Sequence, residues 1–155
     1  MSKRLSVMKH FQTIKPLLDF GDAVHQQSGL ERPLVELVLL RVSQINGCAY
    51  CLDMHSKDAR AAGETEQRLY LVAGWREASL YSERERAALA WAEAVTKLGE
   101  HGVSDAVYAQ ALAAFSEQEL VNLTLIVGLI NTWNRINVSF QTPAGSYKPP
   151  VKQAA

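Results

Sequence analysis

Leu34-Val-Glu-Leu-Val-Leu-Leu-Arg-Val-Ser-Gln-Ile-Asn-Gly-Cys-Ala-Tyr-Cys-Leu-Asp-Met-His55 is the stretch that decides how this chain is read. Its first half is an apolar run of helical length that opens just after Pro33, a residue suited to the first position of a helix. Asn46-Gly47 ends that helix, since glycine takes the left-handed backbone that closes one. A second helix follows at once, with Cys48 in its first turn, Cys51 one turn on and His55 four residues beyond. Residues three and four apart share a helix face, so the three side chains form one stripe. Two cysteines at that spacing can also close a disulfide within its usual reach.

Helical signals continue in both directions. Residues 8–27 read as a first helix, interrupted near Pro16, where proline lacks the amide proton and crowds the preceding turn. Residues 28–33 break it, and the second helix spans 33–46. The cysteine helix reaches 62, before Gly63, and 64–75 is shorter. Ser82 with Glu85 forms a capping box that opens a helix to 98; 104–115 is another; Ser116 with Glu119 forms a second box that opens a long helix to 138. That last helix is apolar nearly all round over 120–133, which places it in the middle of a core or a subunit interface. Strand signals, meaning β-branched alternations between tight turns, are absent. The expected architecture is therefore all-α: one helical-bundle domain over 1–141, with the cysteine pair at a helix N-terminus. Residues 142–155, rich in proline and without periodicity, are expected to be a C-terminal arm or a disordered tail.

Composition narrows the function. A chain of 155 residues with 48% hydrophobic and 21% charged side chains fits a globular domain with a real core. Its sixteen basic and sixteen acidic residues cancel, which gives no electrostatic reason to expect nucleic acid or a membrane surface as partner. No apolar run has the length of a secretory signal or a membrane span. The expected compartment is the cytoplasm, where a disulfide is transient and catalytic more often than structural.

A thiol attacks only as thiolate. A helix start presents partial positive charge, and an imidazole one turn away can take the proton. Glu36 is a lone acid among apolar residues, and such a carboxylate must find a partner or stay protonated. If the two helices pack antiparallel across the Asn46-Gly47 turn, Glu36 reaches the stripe containing His55, and acid, base and thiol form a proton relay. Three plainer readings compete. The cysteines can be small buried hydrophobes; Cys48, Cys51, His55 and Glu36 can be a zinc ligand set, although such sites on one helix are uncommon; and Glu36 can simply pair with Arg32 or Arg41. The expectation is no metal and no cofactor. His10, His25 and His101 are given no role. Trp75, Trp91 and Trp133 read as core, Asn131, Asn134 and Arg135 as a subunit contact or a helix cap, and Glu83-Arg-Glu-Arg86 as a solvated face.

The combination of Glu36, Cys48-x-x-Cys51 and His55 resembles the active-site signature of the AhpD-like alkylhydroperoxidases, within the carboxymuconolactone decarboxylase superfamily. The resemblance covers roughly residues 34–96, with Asn131-Thr-Trp-Asn-Arg-Ile-Asn137 similar to the closing segment of single-domain members. It implies an all-helical fold, homo-oligomers (trimer or hexamer), and reduction of hydroperoxides through a dithiol/disulfide cycle. By position it implies that Cys51 attacks the peroxide, that Cys48 donates a proton and resolves the sulfenic acid as a disulfide, and that His55 and Glu36 are the relay. An external dithiol or protein reductant would regenerate the pair. The chain departs from the pattern at Tyr50, where the best-known members carry a second histidine. A phenol is a poor base at neutral pH, which implies a simpler relay and weaker activity. Decarboxylase relatives lack the cysteine pair, so its presence argues against lactone decarboxylation. The alternatives are a protein-disulfide reductase or redox adaptor for a partner peroxidase, and a helical interaction protein without catalysis.

Overall fold

Caps and breakers place the elements close to where the sequence signals them. A computed structural model describes residues 4–150, and among these it has seven α-helices and no strand. They are α1 (Phe11–Gln27), α2 (Arg32–Asn46), α3 (Ala49–Ala61), α4 (Glu66–Leu71), α5 (Glu83–Thr96), α6 (Asp105–Ala114) and α7 (Glu117–Phe140). Short 3-10 turns at Val7–His10 and Val72–Gly74 precede α1 and follow α4. Both capping boxes are formed: the Ser82 and Ser116 hydroxyls accept from the amides three residues on, while Glu85 and Glu119 accept from the cap amides at 2.8 Å. No single helix among the described residues is long and apolar enough to cross a membrane.

The helix α2 is the spine. Leu34 through Leu40 are buried without a break, because α2 packs on α3, α5 and α7 at once. One of its faces carries Val35, Val38 and Val42 into a core with Ala88 and Ala92 of α5 and Leu123, Ile126 and Val127 of α7. The other carries Leu37 and Leu40 against Ala59, Leu69, Val72, Trp75 and Leu89. Sealing each of these aliphatic side chains from water contributes about 2 kcal/mol. The apolar α7 is central as its composition required, although Val121, Leu125 and Val138 remain exposed on its outer face.

Three expectations are corrected. Helix α1 runs through Pro16 without a break; Gln12, whose carbonyl loses its helical partner there, is exposed and can be hydrated instead. Cys48 is the N-cap of α3, one position outside the first turn. The C-terminal arm is strapped to α3 at Gly145 and Tyr147, where Asp53 accepts from both amides and Lys57 donates to both carbonyls. Tyr147 closes the strap with a hydroxyl bond to Asp58, and burial together with that bond pushes its phenol up to about 12. Residues 151–155 of the expected arm lie outside the described residues. Finally, the charge run on α5 is not a solvated face. Arg84 binds Glu31 and Glu119, Glu85 binds Arg68, and Arg86 donates to the carbonyls of Trp75, Arg76 and Ala78.

The join between α2 and α3 has the least freedom. Gly47 sits at φ 65°, the Gly47 amide donates to the Gln44 carbonyl at 3.3 Å, and the Cys48 amide donates to the Ser43 carbonyl at 3.1 Å. These are the two bonds of a Schellman closure, and its last residue is already the cap of α3. A Cβ at position 47 would meet nothing within 4 Å, so only backbone strain opposes one there. Gly47→Ala is expected to lower unfolding free energy by about 1 kcal/mol in urea titration; a loss several times larger would mean the turn is held by more than its dihedral.

Candidate active site

Two helices bring the sequence-derived residues together. Cys48 and Cys51 are disulfide-bonded, with Cα atoms 5.3 Å apart, and each is 1% exposed. Glu36 from α2 meets His55 from α3, its Oε2 3.2 Å from Nδ1. A carboxylate can only accept, so across this contact Nδ1 is the donor, and in a neutral ring Nε2 is then the nitrogen with the lone pair. That Nε2 is buried and has no hydrogen-bond partner among the described residues. His55 is thus a base oriented by an acid, on the helix face that also carries Cys51. Glu36 also lies 3.7 Å from Arg32, so it pairs both along its own helix and with His55. Arg41 is engaged elsewhere, with Glu93.

The sulfurs differ in their surroundings. Cys48 Sγ accepts the Cys51 amide at 3.3 Å, the capping bond of α3, so the helix start acts directly on Cys48. Cys51 Sγ instead accepts from the carboxamide of Asn137, on α7, at 3.6 Å. Cys51 also lines a cavity of about 400 Å³, and Cys48 does not. The cavity lies between α1, α3 and α7, with apolar walls from Leu17, Leu18, Met54, Leu129 and Ile130 and polar points at His55, His25 and Asn137. The four side chains weighed as a zinc set do not assemble as one, and no cluster of three histidine, cysteine or acidic residues among the described residues is arranged to hold a metal ion.

The sequence reading missed three residues here. Trp133, read as core, is only half-buried and lines the cavity. Asn137, on α7, makes a polar contact with the Cys51 sulfur. His25, given no role, stands at the cavity rim; crowding by the surrounding protein pushes its imidazole below the usual 6.5, against the pull of the Glu36 charge and with the repulsion of His55. The spacing Ile14, Leu18, Gly21, His25 puts His25 on the face of α1 turned to the core, and this signal was readable. Asn131 and Asn134, read as a subunit contact or cap, bond within the protomer to the end of α2. Asn46 donates to both of their side-chain oxygens at 2.9 Å, and buried Asn134 donates to Ser43 at 3.1 Å. The network fastens the end of α2 to α7 immediately before the cysteines.

Comparison with known proteins places this geometry. The family model described as Carboxymuconolactone decarboxylase family matches residues 13–94. The chain is 40% identical over 147 residues to the uncharacterized protein YdfG of Bacillus subtilis (strain 168), an alignment covering 94% of this chain and 99% of that one. It is similar, at 41% identity and a TM-score of 0.89, to a crystal structure from Agrobacterium tumefaciens of a protein of unknown function, ATU0492, a candidate antioxidant defence protein AhpD; 94% of this chain and 100% of that one are covered. The debrominase Bmp8, solved with 2,3,4-tribromopyrrole, shares the fold at 18% identity and a TM-score of 0.80, over 90% of this chain and 74% of its own.

The Glu36 charge is one that His25 feels. The His25 ring proton is expected to titrate below 6.5 in nuclear magnetic resonance. Glu36→Gln, which removes the attraction that favours the imidazolium, is expected to lower that midpoint further. An unchanged or raised midpoint would place His25 out of reach of the relay.

Proposed function

The chain belongs to the carboxymuconolactone decarboxylase family and has its AhpD-like fold, and from this premise we propose that it is an alkylhydroperoxidase, a thiol-dependent peroxidase that cycles Cys48 and Cys51 between dithiol and disulfide. The observation that carries the reading is the asymmetry of the pair: Cys51 opens onto an apolar cavity with His55 on its wall, while Cys48 is sealed behind it.

In the reduced protein, His55 takes the Cys51 proton at Nε2, and Glu36 holds the resulting imidazolium. The Cys51 thiolate attacks the distal peroxide oxygen; the O–O bond breaks, the sulfur becomes a sulfenic acid, and the departing alkoxide leaves as alcohol with a proton from the imidazolium. Cys48 then attacks the sulfenic sulfur, and water leaves as the disulfide forms. Two electrons have passed from the dithiol to ROOH, giving ROH and water. An external dithiol restores the pair by exchange and is itself oxidised. The alternative of a protein-disulfide reductase has less support. Both cysteines are 1% exposed, so reactants of either kind reach Cys51 through the cavity, whose size and apolar walls suit a small hydroperoxide or a small dithiol better than a folded surface.

Self-association belongs to the same proposal. Met8, Phe11 and Phe20 near and on α1, with Val121 and Leu125 on the neighbouring α7, expose large apolar side chains, and exposed apolar surface of this kind supports an interface. Light scattering is expected to give three or six times the protomer mass; a monomer at micromolar concentration would count against it. For the chemistry, one equivalent of alkyl hydroperoxide is expected to remove two hydrogens from the reduced protein by intact mass. Cys51→Ser should abolish turnover, and Cys48→Ser should leave a sulfenic acid that dimedone traps at Cys51. Undiminished turnover in Cys51→Ser would end the assignment.

A further inference from the structure

The geometry points to Asn137 as a catalytic residue: its carboxamide N–H binds the Cys51 sulfur and stabilises it as thiolate. This rests on Cys51 being the attacking thiol, and it adds a group that neither the cysteine motif nor the Glu36–His55 pair supplies.

A helix start beside the cysteines is the usual source of thiolate stabilisation. In this fold the start is spent on the other sulfur, since the Cys51 amide caps onto Cys48. The N–H aimed at Cys51 comes from α7, Asn137 Nδ2 at 3.6 Å. Among the described residues, that sulfur is the only hydrogen-bond partner of the Asn137 carboxamide. A disulfide sulfur is a weak acceptor, and a thiolate is a strong one whose bonds are charge-assisted. The contact is therefore worth more after reduction than before it.

Asn137 is also held in place. The Asn137 carbonyl accepts the Thr142 amide at 3.0 Å in the closure of α7, where Gln141 turns left-handed at φ 53°. One turn earlier, Asn134 is locked to Asn46 and Ser43. Positions 130, 133, 134 and 137 share one face of α7, and three of them, Ile130, Trp133 and Asn137, line the cavity. Side chain and sulfur thus stand together on the wall where substrate would approach.

The ionisable groups around Cys51 come from the other elements. His55 and Tyr50 are on α3, His25 and Asp22 on α1, and Glu36, with Arg32 behind it, on α2. The wall from α7 carries no charge; Arg135 of that helix is exposed and bonded to Asn131. A change at Asn137 can therefore be read against the unchanged charges of α1, α2 and α3.

The test reads the ionisation of Cys51 in the reduced full-length chain, without peroxide, from the pH dependence of iodoacetamide alkylation with the modified cysteine located by mass. Asn137→Leu is expected to raise the apparent pKa of Cys51 by about one unit, a roughly tenfold loss of thiolate below both midpoints. The defect should close as pH is raised past the variant's midpoint. Asn137→Asp, which keeps the shape and so guards against misfolding of the leucine variant, should raise it further by adding a negative charge. The hydroperoxide kcat/KM of Asn137→Leu should fall by the same factor as its alkylation rate at neutral pH. A Cys51 midpoint that stays at the wild-type value in both variants overturns the proposal, as does a rate defect that does not change with pH. Because alkylation needs no peroxide, failure of the peroxidase reading would show separately, as normal ionisation shifts without turnover.

Discussion

At Gly47 and Cys48 the chain passes from one helix to the next within two residues, and the positions of both sulfurs follow from that turn. A left-handed residue there closes α2 with two backbone bonds and makes Cys48 the cap of α3 in the same step. A longer connection would leave the cysteine helix free to roll about its axis. With none to spare, the rotation of α3 is fixed relative to α2, and Glu36 and His55 can meet at hydrogen-bond distance from 19 residues apart. Asn46, the last residue of α2, adds the second restraint by tying this corner to α7 through Asn131 and Asn134. The site is precise because its corner is anchored to two elements before any catalytic side chain is considered.

Glu36 shows why such a site needs that precision. A carboxylate 8% exposed in an apolar core is costly to leave unpaired. It has one partner on its own helix, Arg32 at 3.7 Å, which is exposed and contributes little. The other, His55, lies on the neighbouring helix and shares the burial. Pairing two polar groups that water would otherwise satisfy is no gain in stability over an apolar pair of the same shape. Its return is directional: the acid selects which ring nitrogen carries the proton, and so which one is left to act as base.

What the sequence revealed and what it hid divide along the range of the interaction. The two serine capping boxes and the glycine stop are set within four residues, and each is found where its local chemistry put it, while the cysteine stripe is displaced only in that Cys48 caps the helix instead of joining its first turn. The pairing of Glu36 with His55 was legible because one short turn joins their helices. Asn137 lies 86 residues from Cys51, and nothing in its neighbours says that α7 ends over the cysteines. What the expected arm touches could not be read either, because strap contacts made by the amides of Gly145 and Tyr147 leave no mark on composition. Charges on α5 misled for a related reason: an Arg-Glu alternation looks the same whether water or a carbonyl such as that of Trp75 satisfies it.

If the pair of sulfurs opens and closes with every turnover, as proposed, it cannot also be what holds the fold together. A disulfide spanning three residues closes so small a loop that chain entropy gives it about 2 kcal/mol, against nearly 5 for a loop of a hundred. The restraints that place the cysteines, at Gly47, Asn46 and Asn134, involve no sulfur and persist when the bond is broken. The two N–H groups that do touch sulfur, the Cys51 amide and the Asn137 carboxamide, favour the reduced pair, since a thiolate accepts more strongly than a disulfide. If Asn137 binds the Cys51 thiolate as proposed, the reduced form is the one the scaffold stabilises. Such a disulfide is the more oxidising for it, so that its regeneration by an external dithiol runs downhill.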